Sequence, residues 1–430
     1  MKSFLSLLLV LFFAQLSFAS ESTEALARKA VSENAAEASP AIEELRALGP
    51  AGLQILMAQY ADEIRRHVAN PSTAPDEQWQ RISAALDTVA QQKNSYIAGL
   101  YWHTDLEAAK KASAENGKPI LSLRLLGKLT DEFSCANSRF FRTVLYSNAG
   151  VSEYLREHYV LHWQSVRPVP KVTIDYGDGR KLERTLTGNS IHYILDSGGR
   201  PIDAFPGLYG PSAFRSALVN AEAMFNSIAG KPERLKNSLL MGYYINQSRK
   251  IAIDWTLDAT KIGGKPPAGL TVKKGTDDQA RRIAPLAVTK ALTETSILRG
   301  MASTTEELEK ITDEAAWNKI AQLHADAAIL DERSIALIKR QNPALSDEEL
   351  ARLLHKFQEL IALDTVRNEY LLHSKLYTWL MRDPARNDVQ KFNEKVYAEL
   401  FLTPSSDPWL GLFSTDVYTA LDNGGVVKPQ

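Results

Sequence analysis

Between residues 20 and 95 apolar side chains return at near-helical spacing, with Leu45, Leu48, Leu53, Ile55 and Leu56 the clearest set, in a background of Ala, Glu and Gln. This predicts short helices. Pro50 and the stretch Asn70-Pro71-Ser72-Thr73-Ala74-Pro75 divide them. From Tyr101 to about Ile228 the pattern alternates between helical and strand periods, which predicts a layered α/β domain. Helices are expected over Leu106 to Asn116, closed by Gly117, and over Ser138 to Tyr146, Val151 to His158 and Ser212 to Phe225. Strands are expected over Ile120 to Leu126, Tyr159 to Val166 and Ile191 to Leu195. A hairpin should join Val172–Tyr176 to Arg180–Thr185 through Gly177-Asp178-Gly179.

From Lys231 onward the pattern is helical, interrupted by the Gly/Pro/Lys-rich stretch Lys261 to Lys274, which reads as an exposed loop. Ser303-Thr304-Thr305-Glu306 and Ser346-Asp347-Glu348-Glu349 have the spacing of capping boxes. The second should open a long amphipathic helix carrying Leu350, Leu353, Leu354, Phe357, Leu360 and Ile361.

The first residues change the picture of location. Lys2, the apolar run Phe4 to Phe13 and the small-residue site Ser17-Phe18-Ala19 have the order of a secretory signal. The run is shorter than the ~20 apolar residues that span a bilayer, and no Cys follows Ala19 to take lipid. The expectation is therefore a signal peptide over 1–19, an exported soluble chain, and three regions: helical 20–100, α/β 101–228 and helical 229–430. Localisation in the periplasm or secretion follows. Charge adds an exclusion, because 50 basic against 51 acidic residues leave no field for nucleic acid or an anionic membrane. A single cysteine, Cys135, allows no internal disulfide.

The candidate chemistry lies in Ser134-Cys135-Ala136-Asn137-Ser138-Arg139, after a strand and at a helix start. Farther on, Gly188-Asn189-Ser190 precedes the strand Ile191–Leu195, then Gly198, Gly207 and a helix. Trp102-x-x-Asp105-Leu106-x-x-Ala109 and Gly117-Lys118-Pro119 open the region. Over residues 100 to 228 this order resembles the thioredoxin superfamily, and the opening resembles its larger exported members. The resemblance implies a thioredoxin-like central domain flanked by helical regions, with Cys135 at the attacking-cysteine position and Ser138 where a resolving cysteine would stand. It makes Asn189 and Ser190 the substrate-binding edge and puts Arg139 beside the sulfur. Departures are equally specific. Ser190 replaces the family's cis-proline, and since a non-proline cis bond costs roughly 3 kcal/mol the peptide is expected to be trans. Ser134 replaces the usual aromatic, and the buried strand carboxylate falls near Ser122 or Leu123, neither of which is an acid.

Two readings of Cys135 stand. One is a buried, chemically idle residue on a structural or binding platform. The other is a monothiol that forms mixed disulfides with a protein partner or a small thiol, with Lys128 and Arg139 favouring the thiolate and Asp131 and Glu132 opposing it. In both a dithiol cycle within the chain is excluded and protein partners are expected.

His158 and His162 are four apart across a helix-to-strand junction, where the spacing does not align their rings, and His192 lies on the strand beside Ser190. Glu369 and His373 do share a helical face, with Asp364, Arg367 and Asn368 a turn earlier, but a metal site would need a third ligand. No cofactor or metal is expected. Arg167-Pro168-Val169-Pro170 and Asp407-Pro408-Trp409 read as stiffened or packed connections with docking as the alternative role. No P-loop, Rossmann glycine pattern or Ser-His-Asp order occurs in a fitting context, so hydrolase and nucleotide functions have no support.

Overall fold

The computed structural model of the chain describes residues 22–70, 74–185, 188–264, 313–401 and 403. The proposed signal, the Ser303–Glu306 capping box, most of the Lys261–Lys274 stretch and Trp409 lie outside them.

The N-terminal region is helical, as its pattern predicts: α1 (Ala35–Ala47), α2 (Pro50–Gln59), α3 (Ala61–Ala69) and α4 (Glu77–Ala90). Asn34 caps α1 by accepting from the Ala36 amide, and Asp76 caps α4 through the Trp79 amide at 2.7 Å. Pro50 sits in the first turn of α2, where its missing N–H costs nothing. Gly52 lets α2 approach α1, because a Cβ there would fall 1.9 Å from the Leu45 carbonyl oxygen. Leu45, Leu53, Leu56, Ile82, Leu86 and Val89 close a small core of their own.

The chain then alternates: β1 (Trp102–His103), α5 (Leu106–Asn116), β2 (Ile120–Leu126), α6 (Ala136–Phe140), α7 (Ala149–His158) and β3 (Val160–Arg167). A π-turn, Phe141–Leu145, continues α6. Next come the hairpin β4 (Lys171–Asp175) and β5 (Lys181–Thr185), then β6 (Ile191–Leu195), β7 (Pro201–Pro206) and α8 (Pro211–Ile228). Asp105 caps α5 through the Ala108 amide, and Gly117 ends it in the left-handed region at φ 65°.

Five strands form one mixed sheet in the order β1-β3-β2-β6-β7. β1, β3 and β2 run parallel, while β6 and β7 are antiparallel to their neighbours. β2 and β6 are buried along their whole length, which is why both read as near-continuous apolar runs. The β4–β5 hairpin forms a separate two-stranded sheet with exposed side chains. Two strands differ from the sequence expectation. β1 is only two residues long, and β7 has a proline at each end and Asp203 in its middle, which together mask a strand pattern. Prolines are tolerated there because β7 is an edge strand.

The C-terminal region comprises α9 (Glu233–Lys261), α10 (Glu314–Leu323), α11 (Glu332–Gln341), α12 (Asp347–Arg367), α13 (Ser374–Arg382) and α14 (Val389–Lys395). π-turns at Asn368–His373 and Val396–Leu400 follow α12 and α14. The Ser346/Glu349 capping box forms in full. Of the apolar residues on α12, Leu350 and Ile361 are buried while Leu353 and Leu360 face solvent. These helices and the five-stranded sheet share one continuous core. Specific polar links accompany it: Asn368 Nδ2 donates to the Leu208 carbonyl at 2.7 Å, and the Gly210 amide donates to Thr365 Oγ1 at 2.8 Å. No helix among the described residues is long and apolar enough to cross a membrane.

Candidate functional site

Cys135 lies at the N-cap of α6, and its Sγ accepts from the Ser138 amide at 3.5 Å. Asn137, in the first turn of the helix, donates from Nδ2 to Ser190 Oγ at 2.9 Å, so the helix start and the start of β6 meet. The Asn189–Ser190 peptide is trans, as expected without proline.

The surroundings of the sulfur differ from those of a reactive thiol. Cys135 is 0% exposed, and Ser138, Asn189 and Ser190 are buried with it. Burial pushes the thiol above its ordinary value, and the nearby backbone amides and the charge of Arg139 only partly offset this. Arg139 is exposed, as are Lys128, Asp131 and Glu132 on the preceding loop. Arg142, which no sequence signal singled out, is buried beside the site and donates from Nη2 to the Glu132 carbonyl and Ser134 Oγ, both at 3.2 Å. Tyr397, from the π-turn after α14, donates its hydroxyl to the Asn189 carbonyl at 3.0 Å. The backbone at the entrance to β6 is thus occupied by the chain's own C-terminal region. Ser138 Oγ has no hydrogen-bond partner among the described residues.

The histidines flagged earlier are not brought together. His158 Nδ1 faces Glu222 at 2.8 Å, His162 Nδ1 faces Ser122 Oγ at 2.8 Å, and His192 Nε2 faces the Tyr146 hydroxyl at 2.7 Å. Burial pulls both His162 and His192 down to about 3, which keeps them neutral. The Glu369–His373 pair does form, at 2.9 Å, and the third group comes from β7: Asp203 Oδ1 lies 3.1 Å from His373 Nε2. With a carboxylate at each ring nitrogen, His373 is an imidazolium bridge and has no lone pair for a metal. No group of three or more His, Cys, Asp and Glu among the described residues is arranged to hold a metal ion. Burial opposes the charge on His373, but Glu369 and Asp203 outweigh it and raise the ring to about 10. The same pairing overcomes burial at Glu369 and holds its carboxyl below the usual range.

This bridge forms one wall of a half-open cavity of about 220 Å³ between β7, α8, α9 and the Asn368–His373 turn. Tyr243 and Tyr377 donate to Asp203 Oδ2 at 2.5 and 3.0 Å. His324 and Tyr370 line another wall, and behind them Asp258 accepts from the Tyr370 hydroxyl at 2.6 Å and meets His324 Nε2 at 2.5 Å. The π-turn widens the helix so that Glu369, Tyr370 and His373 all reach this region, a use π-bulges often serve at functional sites. Asp203, Tyr243, Asp258 and His324 escaped the sequence reading because they are far apart in the chain. The available signal was Asp203 itself, a lone acid among Ile202, Ala204 and Phe205.

No family model, curated protein or solved structure matches this chain.

Proposed function

We propose that this chain is an exported thioredoxin-like scaffold that acts by binding partners and has no thiol–disulfide chemistry in its folded state. The sealed position of Cys135 carries the reading: a thiol with no exposure and a raised pKa supplies neither the access nor the thiolate that exchange requires. The thioredoxin-like part draws support from the strand order β1-β3-β2-β6-β7, its two antiparallel strands, and the contact of Asn137 with Ser190. Export rests on Lys2, the Phe4–Phe13 run and Ala19.

A thiol-reagent titration of Cys135 tests this. Folded protein is expected to stay unlabelled and to take up one equivalent on unfolding in guanidinium. Rapid stoichiometric labelling of the folded protein would favour the monothiol reading instead. N-terminal sequencing of the exported protein should begin near Ser20; material that retains Met1 would remove the export step.

A further inference from the structure

A second cavity, of about 690 Å³, opens where three parts of the chain meet: α2 and α3 of the N-terminal region, α7 of the α/β region and α11 of the C-terminal region. Its size falls within the roughly 300–1,000 Å³ of small-molecule sites, which occur preferentially at such junctions. Four guanidiniums line it, those of Arg65, Arg156, Arg333 and Arg340, and no acidic side chain does. Arg65 pairs with Asp62 on its own helix, outside the lining. Arg340 spends Nη1 on the Tyr96 hydroxyl and Nη2 on the His67 carbonyl. Arg156 and Arg333 are less fully engaged. Arg156 donates from Nη1 to the Ala98 carbonyl and has no carboxylate within ion-pair distance among the described residues, while Arg333 reaches Glu153 only at 3.9 Å, where both side chains are close to half exposed. Burial pulls the Arg156 guanidinium below its ordinary value; Glu153 and Glu157 oppose this, and the like charge of Arg333 adds to it. Like charges gathered on a partly desolvated wall cost free energy that an anion would recover.

Much of the remaining lining is aliphatic, with Met57, Ile64, Val68 and Leu337 around the same space, so the fitting guest joins an anionic head to an apolar body. From this we infer that the cavity binds a medium-chain aliphatic carboxylate, its head on Arg156 and Arg333 and its chain against Met57, Ile64, Val68 and Leu337. A carboxylate accepts the paired N–H donors of a guanidinium fork. Its single charge also costs less than a phosphate dianion to bring onto a largely apolar wall. The site stands apart from Cys135 and does not depend on the thioredoxin-like reading, so its failure would leave that reading untouched.

The test is calorimetric titration of the full-length protein with decanoate below its micelle threshold, beside decanol and acetate, which carry the tail and the head alone. Decanoate should saturate at one equivalent with a Kd on the order of 0.1 mM or tighter, in keeping with the efficiency of small ligands. Decanol and acetate should each bind about tenfold more weakly or worse, since one lacks the charge-assisted bonds and the other the apolar area. Arg333→Gln should keep the thermal midpoint of the wild type, because its ion pair with Glu153 is long and exposed, and should weaken decanoate about fivefold or more. Ala336→Trp, which fills the cavity and leaves every charge in place, should abolish binding. Absence of saturation by decanoate, equal affinity for decanol, unchanged affinity in Arg333→Gln, or tighter binding of inorganic phosphate than of decanoate would each overturn the assignment.

Discussion

The Tyr397 hydroxyl donates to the Asn189 carbonyl at 3.0 Å, joining positions 208 residues apart. This bond places the π-turn that follows α14 over the entrance to β6, beside the helix that Cys135 caps. It connects the fate of the thiol to packing of the C-terminal helices. Tyr397→Phe removes the bond alone and should cost roughly 1 kcal/mol. Tyr397→Ala removes a ring that is buried to within 1% and should cost about 3–5 kcal/mol. Labelling of Cys135 should accelerate in that order. Equal labelling rates in wild type and Tyr397→Ala would show that Tyr397 does not guard the sulfur.

Ser138→Cys should give an internal disulfide with Cys135 once the protein is refolded under mild oxidation. Both positions lie at the start of α6, and the hydroxyl being replaced makes no hydrogen bond among the described residues. The check is a thiol count under denaturing, non-reducing conditions. Two free thiols after oxidation would mean that the first turn lacks the required geometry.

The Asp203–His373–Glu369 bridge has a definite pH signature. His373 is raised from 6.5 to about 10, so its contribution is fully present below pH 6.5 and is lost as pH rises from there toward about 10. Glu369 is lowered, so its contribution is present above its ordinary value and falls away in acid as pH drops through its folded pKa. Urea midpoints followed across this range should decline on the alkaline side. His373→Gln should flatten that decline and cost roughly 3–5 kcal/mol near neutrality, since it leaves Asp203 and Glu369 without their cation. An unchanged alkaline slope in the variant would assign the decline elsewhere.

Arg46 ties the N-terminal helices to the sheet. Its guanidinium donates to the Val89 and Trp102 carbonyls at 2.8 and 2.5 Å and lies 4.3 Å from the Tyr101 ring centre. Arg46→Ala should lower stability by roughly 2 kcal/mol, allowing for partial solvent access. Arg46→Lys should recover little, because a single ammonium does not reproduce the fork. Urea midpoints that do not move in Arg46→Ala would assign the joining of the two cores to other links, such as Trp102 Nε1 on Gln92 Oε1 and Trp163 Nε1 on the Gln91 carbonyl, both at 2.8 Å.

Local pattern was enough to locate β2 and β6, the hairpin, the end of α5 at Gly117, and the capping box at Ser346, since each depends on neighbours within a few positions. The grouping of Cys135 and Ser138 with Ser190 was implied by the family resemblance, not by local pattern. Local pattern left two questions open that only packing answered. Whether Cys135 is reachable depends on the tertiary packing that leaves it fully buried, and local periodicity carries no information about that. Glu369 and His373 were visible as a helical pair, but their meaning came from Asp203, 170 residues before His373 in the chain, delivered by an edge strand whose prolines and central acid hid it. A buried ion bridge is favourable only when its partners are brought together by the whole core, so it leaves no periodic trace in the sequence.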